Sequence, residues 1–142
     1  LHRIAMLRLS IEGLPHFYAS TLEVDRKGIS YTIDTLRFLQ KQEGDKTHFR
    51  LILSEESAKC LPLWKEAEEL LSFFSPLIGA RNSFDLEGEF ADRLQNSLVR
   101  MPMFPISATE VRERLSRGLY CGHLVSAKTL DYIHQNQLYT KI

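Results

Sequence analysis

FRLILSEESAKCLPLWKEAEELLSFFSPLIGAR, residues 49–81, is the stretch that decides the fold. It opens on a short apolar run, FRLILS (49–54), and closes on a second, SPLIGAR (75–81), each of the length of a buried strand. SEES leads from the first run into a short helix reaching toward Lys59. LPLWKEAEELLSFF (61–74) then begins with Pro62 and continues as an amphipathic helix. A strand, a helical crossover and another strand imply a parallel sheet with helices packed on it.

The flanking sequence extends that pattern. LVRMPMFP (98–105) reads as a third strand ended by Pro105, and the polar NSFDLEGEFADRLQNS (82–97) before it as irregular or partly helical. Two helices close the chain, 108–117 and 126–136, the second with Val125, Leu130 and Ile133 inward. Upstream, IDTLRFLQKQE (33–43) places Ile33, Leu36 and Leu39 on one helical stripe, with Thr32 as its N-cap and DRKG (25–28) as the preceding turn. HFYASTLEV (16–24) is β-rich and reads as a strand or extended segment. Residues 1–12 form a helical pattern through Leu1, Ile4, Leu7 and Ile11, stopped by Gly13 and Pro15. The expectation is one α/β domain over 1–142, with a Rossmann-like parallel sheet. In open sheets of this kind ligands sit beyond the carboxyl ends of the strands. The segments to search are therefore SEES, ARN and PISAT.

Composition narrows the function. With 142 residues the chain suits one domain with a real core, and 44% hydrophobic with 25% charged residues is ordinary for a globular protein. Eighteen basic residues balance eighteen acidic ones, so no global field recruits nucleic acid or an anionic membrane. Cys60 and Cys121 lack any CxxC spacing and read as free thiols rather than a disulfide or zinc site. With no apolar run long enough to span a bilayer and no cleavable signal, the expectation is a soluble, cytoplasmic protein without membrane or nucleic-acid partners. The chain starts at Leu1 in mid-helical pattern, without a capping residue or a Met, which implies missing upstream sequence or an unusual start site, the former being favoured.

Three constellations can carry chemistry. In ISATEVRER (106–114), Ser107 and Glu110 fit a capping box. The same geometry serves an anion, because backbone N–H groups at a helix N-terminus point outward at the positive end of the dipole. Arg112 is unfavourable toward that dipole, and its fork would reach the same anion; Arg114 faces elsewhere as a solvated charge. In GISYT (28–32), either a plain turn with an N-cap or a receptor for a small carboxylate fits the residues. Trp64, the only tryptophan, either packs in the core or stacks on a flat heteroaromatic ring. Glu55 and Glu56, just past a strand end, are solvated charges or acceptors for a ribose hydroxyl. The five histidines show no metal spacing, and no Walker-A loop, nucleophile elbow or G-x-G-x-x-G occurs, so no metal ligand, committed nucleophile or general base emerges.

Taken together, these segments resemble the bacterial nicotinate-nucleotide adenylyltransferases of the nucleotidyltransferase superfamily. Glu23, Arg26, Ser30, Tyr31, Thr32, Thr35 and Leu36 match the E-x-x-R...SYT-x-x-TL segment. LILSEESAKCLPLW matches the strand, G-x-D-S loop and downstream L-P-x-W. ISATEVRERLSRG...LVSAKTLDYIHQNQLY is similar to the family's IS[SA]T-x-(I/V)-R-x-x-x-x-x-G ending, the most specific of the three.

The resemblance implies a Rossmann-like sheet of the nucleotidyltransferase type, here without its first βα unit. It implies adenylyl transfer from ATP to nicotinate mononucleotide, giving deamido-NAD and pyrophosphate, with Mg²⁺ carried on the ATP. Thr32, with the main chain at Lys65, would hold the nicotinate carboxylate, and Trp64 would stack on the pyridine. Ser107, Ala108, Thr109 and Arg112 would cradle the ATP phosphates, with Arg81 and Glu56 near the nucleotide. Ser54-Glu55-Glu56 departs from the family's G-x-D. The family's G-x-F-x-P-x-H-x-G-H motif is not in these residues, which implies that this chain alone is inactive or very weak. The exposed sheet edge left by a missing strand invites self-association. Two other acceptors, nicotinamide mononucleotide and phosphopantetheine, and a non-catalytic nucleotide-binding module are the alternatives.

Overall fold

The computed structural model describes residues 1–80, 88–102 and 104–140. It comprises two compact units, Leu22–Met103 and the pair Leu1–Thr21 with Phe104–Ile142.

In the Leu22–Met103 unit, β1 (Ile52–Ser54), β2 (Leu77–Ala80) and β3 (Leu98–Arg100) form a parallel sheet in that order. Leu53 stands beside Ile78, and Ile78 beside Leu98, so period-two alternation sends this row to one face. There it meets α3 (Thr32–Glu43), α4 (Glu55–Lys59) and α5 (Ala67–Phe73), which contribute Ile33, Leu36, Ala58, Ala67 and Leu70 to the core. A 3-10 turn at Leu61–Leu63 adds Leu61, while Phe90 and Leu94 come from α6 (Ala91–Leu94) and the residue before it. Each fully buried aliphatic side chain here, Ile33, Leu61, Leu70, Ile78 and Leu94, contributes about 1.5–3 kcal/mol. The opposite face is open: Ile52 is 77% exposed and Val99 43%. The strands are thus half-buried ones, shorter than their apolar runs.

Two expectations are corrected. The helix expected over 61–74 is interrupted. Leu63 N–H donates to Cys60 O and Trp64 N–H to Leu61 O, closing a three-residue turn. Glu66 then takes a left-handed conformation (φ 53°, ψ 43°), and α5 starts only at Ala67. Trp64 consequently sits in an extended junction, not in a helical turn. Residues 16–24 form no strand either; 17–21 carry no regular element, and Leu22–Asp25 is a helical turn, α2. Phe17 and Tyr18 are 61% and 89% exposed, so their β propensity has no neighbouring surface to act on.

In the second unit α1 (His2–Ile11) packs against α8 (Ala127–Gln135), while α7 (Ala108–Ser116) precedes the loop into α8. The packed stripe of α1 runs through the half-buried Ile4, Ala5, Leu9 and Ile11; Leu1 and Leu7 face out. Ile133 and Thr129 of α8 are buried. Ser10 Oγ lies 3.0 Å from Thr129 Oγ1, and His2 Nδ1 lies 2.9 Å from the Tyr132 hydroxyl. Among the described residues no helix is long and apolar enough to cross a membrane.

Candidate functional site

At the N-terminus of α3 a recess of about 270 Å³ is lined by Ser30, Tyr31, Thr32, Leu63, Trp64 and Lys65. Thr32, Trp64 and Lys65, singled out separately in the sequence, therefore line one concavity. Tyr31 rather than Thr32 is the N-cap residue, with no side-chain capping bond, and Thr32 is the first helical residue. The first-turn N–H groups of α3 have no intrahelical acceptor, so this wall presents donors at the positive end of a 12-residue helix. The opposite wall is the Leu63–Lys65 junction. Trp64 is half-buried and packs against the core cluster while also lining the recess.

The two walls are tied by charge. Lys65 Nζ donates to both Asp34 carboxylate oxygens, at 3.1 and 3.0 Å, and lies 4.8 Å from the centre of the Tyr31 ring. Arg37 donates to Glu66 and Glu69 together, with its Nε 3.0 Å from Glu69 Oε1. The hydrogen bonds from Glu69 and Glu66 hold the Arg37 guanidinium firmly protonated. The hydrogen bond to Asp34 raises the Lys65 pKa, and the one from Arg37 lowers that of Glu66. Arg37 thus anchors the carboxylate of the left-handed Glu66, the residue whose backbone turns the chain from the recess wall into α5. Asp34 and Arg37 are an i,i+3 pair on α3; Glu66 and Glu69 become partners of Arg37, and Lys65 of Asp34, only through the fold.

In the second unit, the Glu110 N–H donates to Ser107 Oγ at 3.1 Å, making Ser107 the N-cap of α7. Ser107, Ala108, Thr109 and Arg112 all stand exposed around this helix end, and Arg112 Nη2 donates to Thr109 Oγ1 at 3.2 Å. Arg112 therefore folds back toward the first turn. The far end is closed by a Schellman motif: Gly118 (φ 68°) and Leu119 donate to Leu115 O and Arg114 O at 3.0 and 2.9 Å. The glycine six residues after Arg112 is thus the helix terminator. Arg114 is not the solvated charge expected of it. It is half-buried, and Nη2 donates to Tyr120 O at 3.0 Å, tying the helix end to the following loop.

Glu56 stands exposed in the first turn of α4, and Glu55 beside it is half-buried. Ser54 takes the N-cap, accepting from Ser57 N–H at 3.2 Å, so the serine that departs from G-x-D has a structural use. Arg81 lies outside the described residues. Among those described, no group of three or more His, Cys, Asp or Glu side chains could hold a metal ion.

The fold has a known counterpart. A nicotinic acid mononucleotide adenylyltransferase from Plasmodium falciparum, solved in complex with APC, matches 97% of this chain and 74% of its own at a TM-score of 0.73 and 20% identity. That likeness defines an α/β fold of the nucleotidyltransferase type. No family model matches the chain. The relatives are closer in sequence: a "Probable nicotinate-nucleotide adenylyltransferase" of Herpetosiphon aurantiacus is 37% identical over 143 residues, covering 96% of this chain and 72% of the relative. Its counterpart in Albidiferax ferrireducens is 35% identical, covering 97% and 72%. The chain belongs to the nicotinate-nucleotide adenylyltransferase family.

Proposed function

We propose that this chain serves adenylyl transfer from ATP to nicotinate mononucleotide, in the synthesis of NAD. The observation carrying the reading is the recess at α3, where Trp64 and Thr32, the first residue of that helix, line one small concavity. In the reaction a phosphate oxygen of nicotinate mononucleotide attacks the α-phosphorus of ATP, forming the P–O–P bond of deamido-NAD as the bond to pyrophosphate breaks. No side-chain nucleophile is required, so the protein's work is positioning and neutralising charge.

Each group has a part in this reading. The amide N–H groups at Thr32, with the Lys65 main chain, receive the nicotinate carboxylate, and Trp64 stacks on the pyridine. The Lys65 ammonium is neutralised by Asp34, which leaves the backbone donors to discriminate. Their bonds to a carboxylate are worth about 1.4 kcal/mol more than those to a neutral amide, roughly a factor of ten over nicotinamide mononucleotide. The α7 end with Ser107, Ala108, Thr109 and Arg112 binds ATP phosphates, with Glu56 and Arg81 assigned to the nucleotide. Mg²⁺ arrives with ATP as part of the substrate rather than in a protein carboxylate site.

The 142 residues contain no H-x-G-H motif, so binding is a more direct assay of this chain than turnover. Titration calorimetry should give nicotinate mononucleotide about tenfold tighter binding than nicotinamide mononucleotide. Trp64→Ala should weaken both by about 5- to 100-fold, the value of one stacked base. Equal binding of the two mononucleotides, or of neither, would overturn the reading.

A further inference from the structure

The E-x-x-R...SYT-x-x-TL segment carries four polar side chains, Glu23, Arg26, Ser30 and Thr35. They come together in a single hydrogen-bonded knot, of which Ser30 also lines the recess. The Thr35 hydroxyl donates to Glu23 Oε1 at 2.8 Å and accepts from Arg26 Nη1 at 3.4 Å. One hydroxyl thus links a carboxylate and a guanidinium that both precede Gly28 in the chain. Ser30 Oγ donates to the Glu23 carbonyl oxygen at 3.1 Å, fastening the loop to the same helical turn, α2. Thr35 also makes the first rung of α3, its N–H donating to Tyr31 O at 3.2 Å. Between the two ends of the knot the chain reverses through Gly28, whose φ of 95° suits glycine.

Besides these bonds, the Tyr31 ring of the loop lies 4.8 Å from Lys65 Nζ. Ile29 is 75% exposed and Tyr31 40%, so apolar burial does not fix its path. A loop without buried contacts samples many conformations unless polar bonds select one. The bonds that select it here converge on Glu23 and Thr35, neither of which lines the recess.

We infer that Glu23, Arg26 and Thr35 are positioning residues that preset Ser30–Thr32 as the carboxylate-receiving wall, an assignment that rests on the nicotinate reading above. They touch no substrate. Their effect falls on the acceptor alone, because a wall already in its bound conformation spares the acceptor the ordering of the loop.

Thr35→Val keeps the shape and removes the hydroxyl; Thr35→Ser keeps the hydroxyl. Calorimetry with nicotinate mononucleotide should show Thr35→Val binding about 5- to 20-fold more weakly, and Thr35→Ser within about twofold of the parent chain. ATP affinity should be the same in all three. Backbone NMR order parameters over residues 28–32 should fall in Thr35→Val and recover in Thr35→Ser, while those of β2 stay unchanged. Glu23→Gln provides a second test, with the same direction of change, should Thr35→Val fail to fold. Order parameters and acceptor affinity both unmoved in a folded Thr35→Val or Glu23→Gln variant would overturn the assignment. A parent chain that ignores nicotinate mononucleotide would overturn the functional reading instead, and with it the carboxylate role of this wall. The order parameters would then still decide whether the knot sets the loop.

Discussion

The α3 recess and the α7 helix end are both built on the N-terminus of a helix, yet they are held very differently. Around the recess, Asp34, Arg37, Lys65, Glu66 and Glu69 cross-link the two walls, and Trp64 is gripped by the core. At α7 one serine caps the helix, and Arg112 is bonded to Thr109 in the same first turns. The contrast matches what each end would bind in the proposed function. A flat aromatic ring with one carboxylate needs a slot of fixed width, so rigidity there aids affinity. A triphosphate is a flexible polyanion, and an exposed guanidinium beside the N–H donors of a helix end suits it without a fixed shape.

That comparison can be broken most sharply at Arg112. Arg112→Ala should weaken ATP binding about 30- to 100-fold, the loss of one bidentate charged contact, while nicotinate mononucleotide binding stays unchanged. Calorimetry of both ligands on the one variant checks it, and a shared loss would mean the two ends are not independent.

The charged wall predicts a smaller effect with a pH signature. Glu66 titrates below its ordinary value near 4.5 because Arg37 bonds to its ionised form. Its contribution to stability is therefore fully present above that ordinary value and is lost as pH falls through the lower, folded-state value. Lys65 behaves in the opposite sense: its contribution is present below 10.5 and fades as pH rises through its raised folded-state value. Arg37→Met should flatten the acid side, so that its melting temperature drops less than the parent's from about pH 6 to about pH 3. The same variant should bind the acceptor about 3- to 10-fold more weakly, since Glu66 loses the partner that steadies its left-handed turn. The smallest effect is expected at the cap. Ser107→Ala should cost about 1 kcal/mol in helix-end stability and roughly threefold to fivefold in ATP affinity, read by thermal melts and titration.

Much of this was legible in the sequence. The strand–helix–strand alternation of 49–81 gave the parallel sheet because short apolar runs and a helix-length crossover leave few other packings. Ser107 and Glu110 announced their cap by spacing alone. The failures have a common cause. Residues 16–24 and 61–66 carry the propensities of a strand and a helix, but their neighbours in space override them: Phe17 and Tyr18 meet no partner strand, and the turn at Pro62 diverts the chain before α5. Arg114 and the Arg37–Glu66–Glu69 contacts lay beyond sequence reasoning because their partners are set by loop geometry or by the approach of two helices. Trp64 shows the limit from the other side, since nothing in its spacing says that it packs and lines a recess together.

That last position has a practical consequence. Trp64 is the only tryptophan in 142 residues, so the chain carries one indole emitter, and it sits in the recess wall. Its fluorescence needs no label and no mutation to report on a single locality. A heteroaromatic ring stacked against it would change the emission directly, while ligands at the α7 end provide the control channel. The molecule thus holds its own optical gauge for one of its two helix ends.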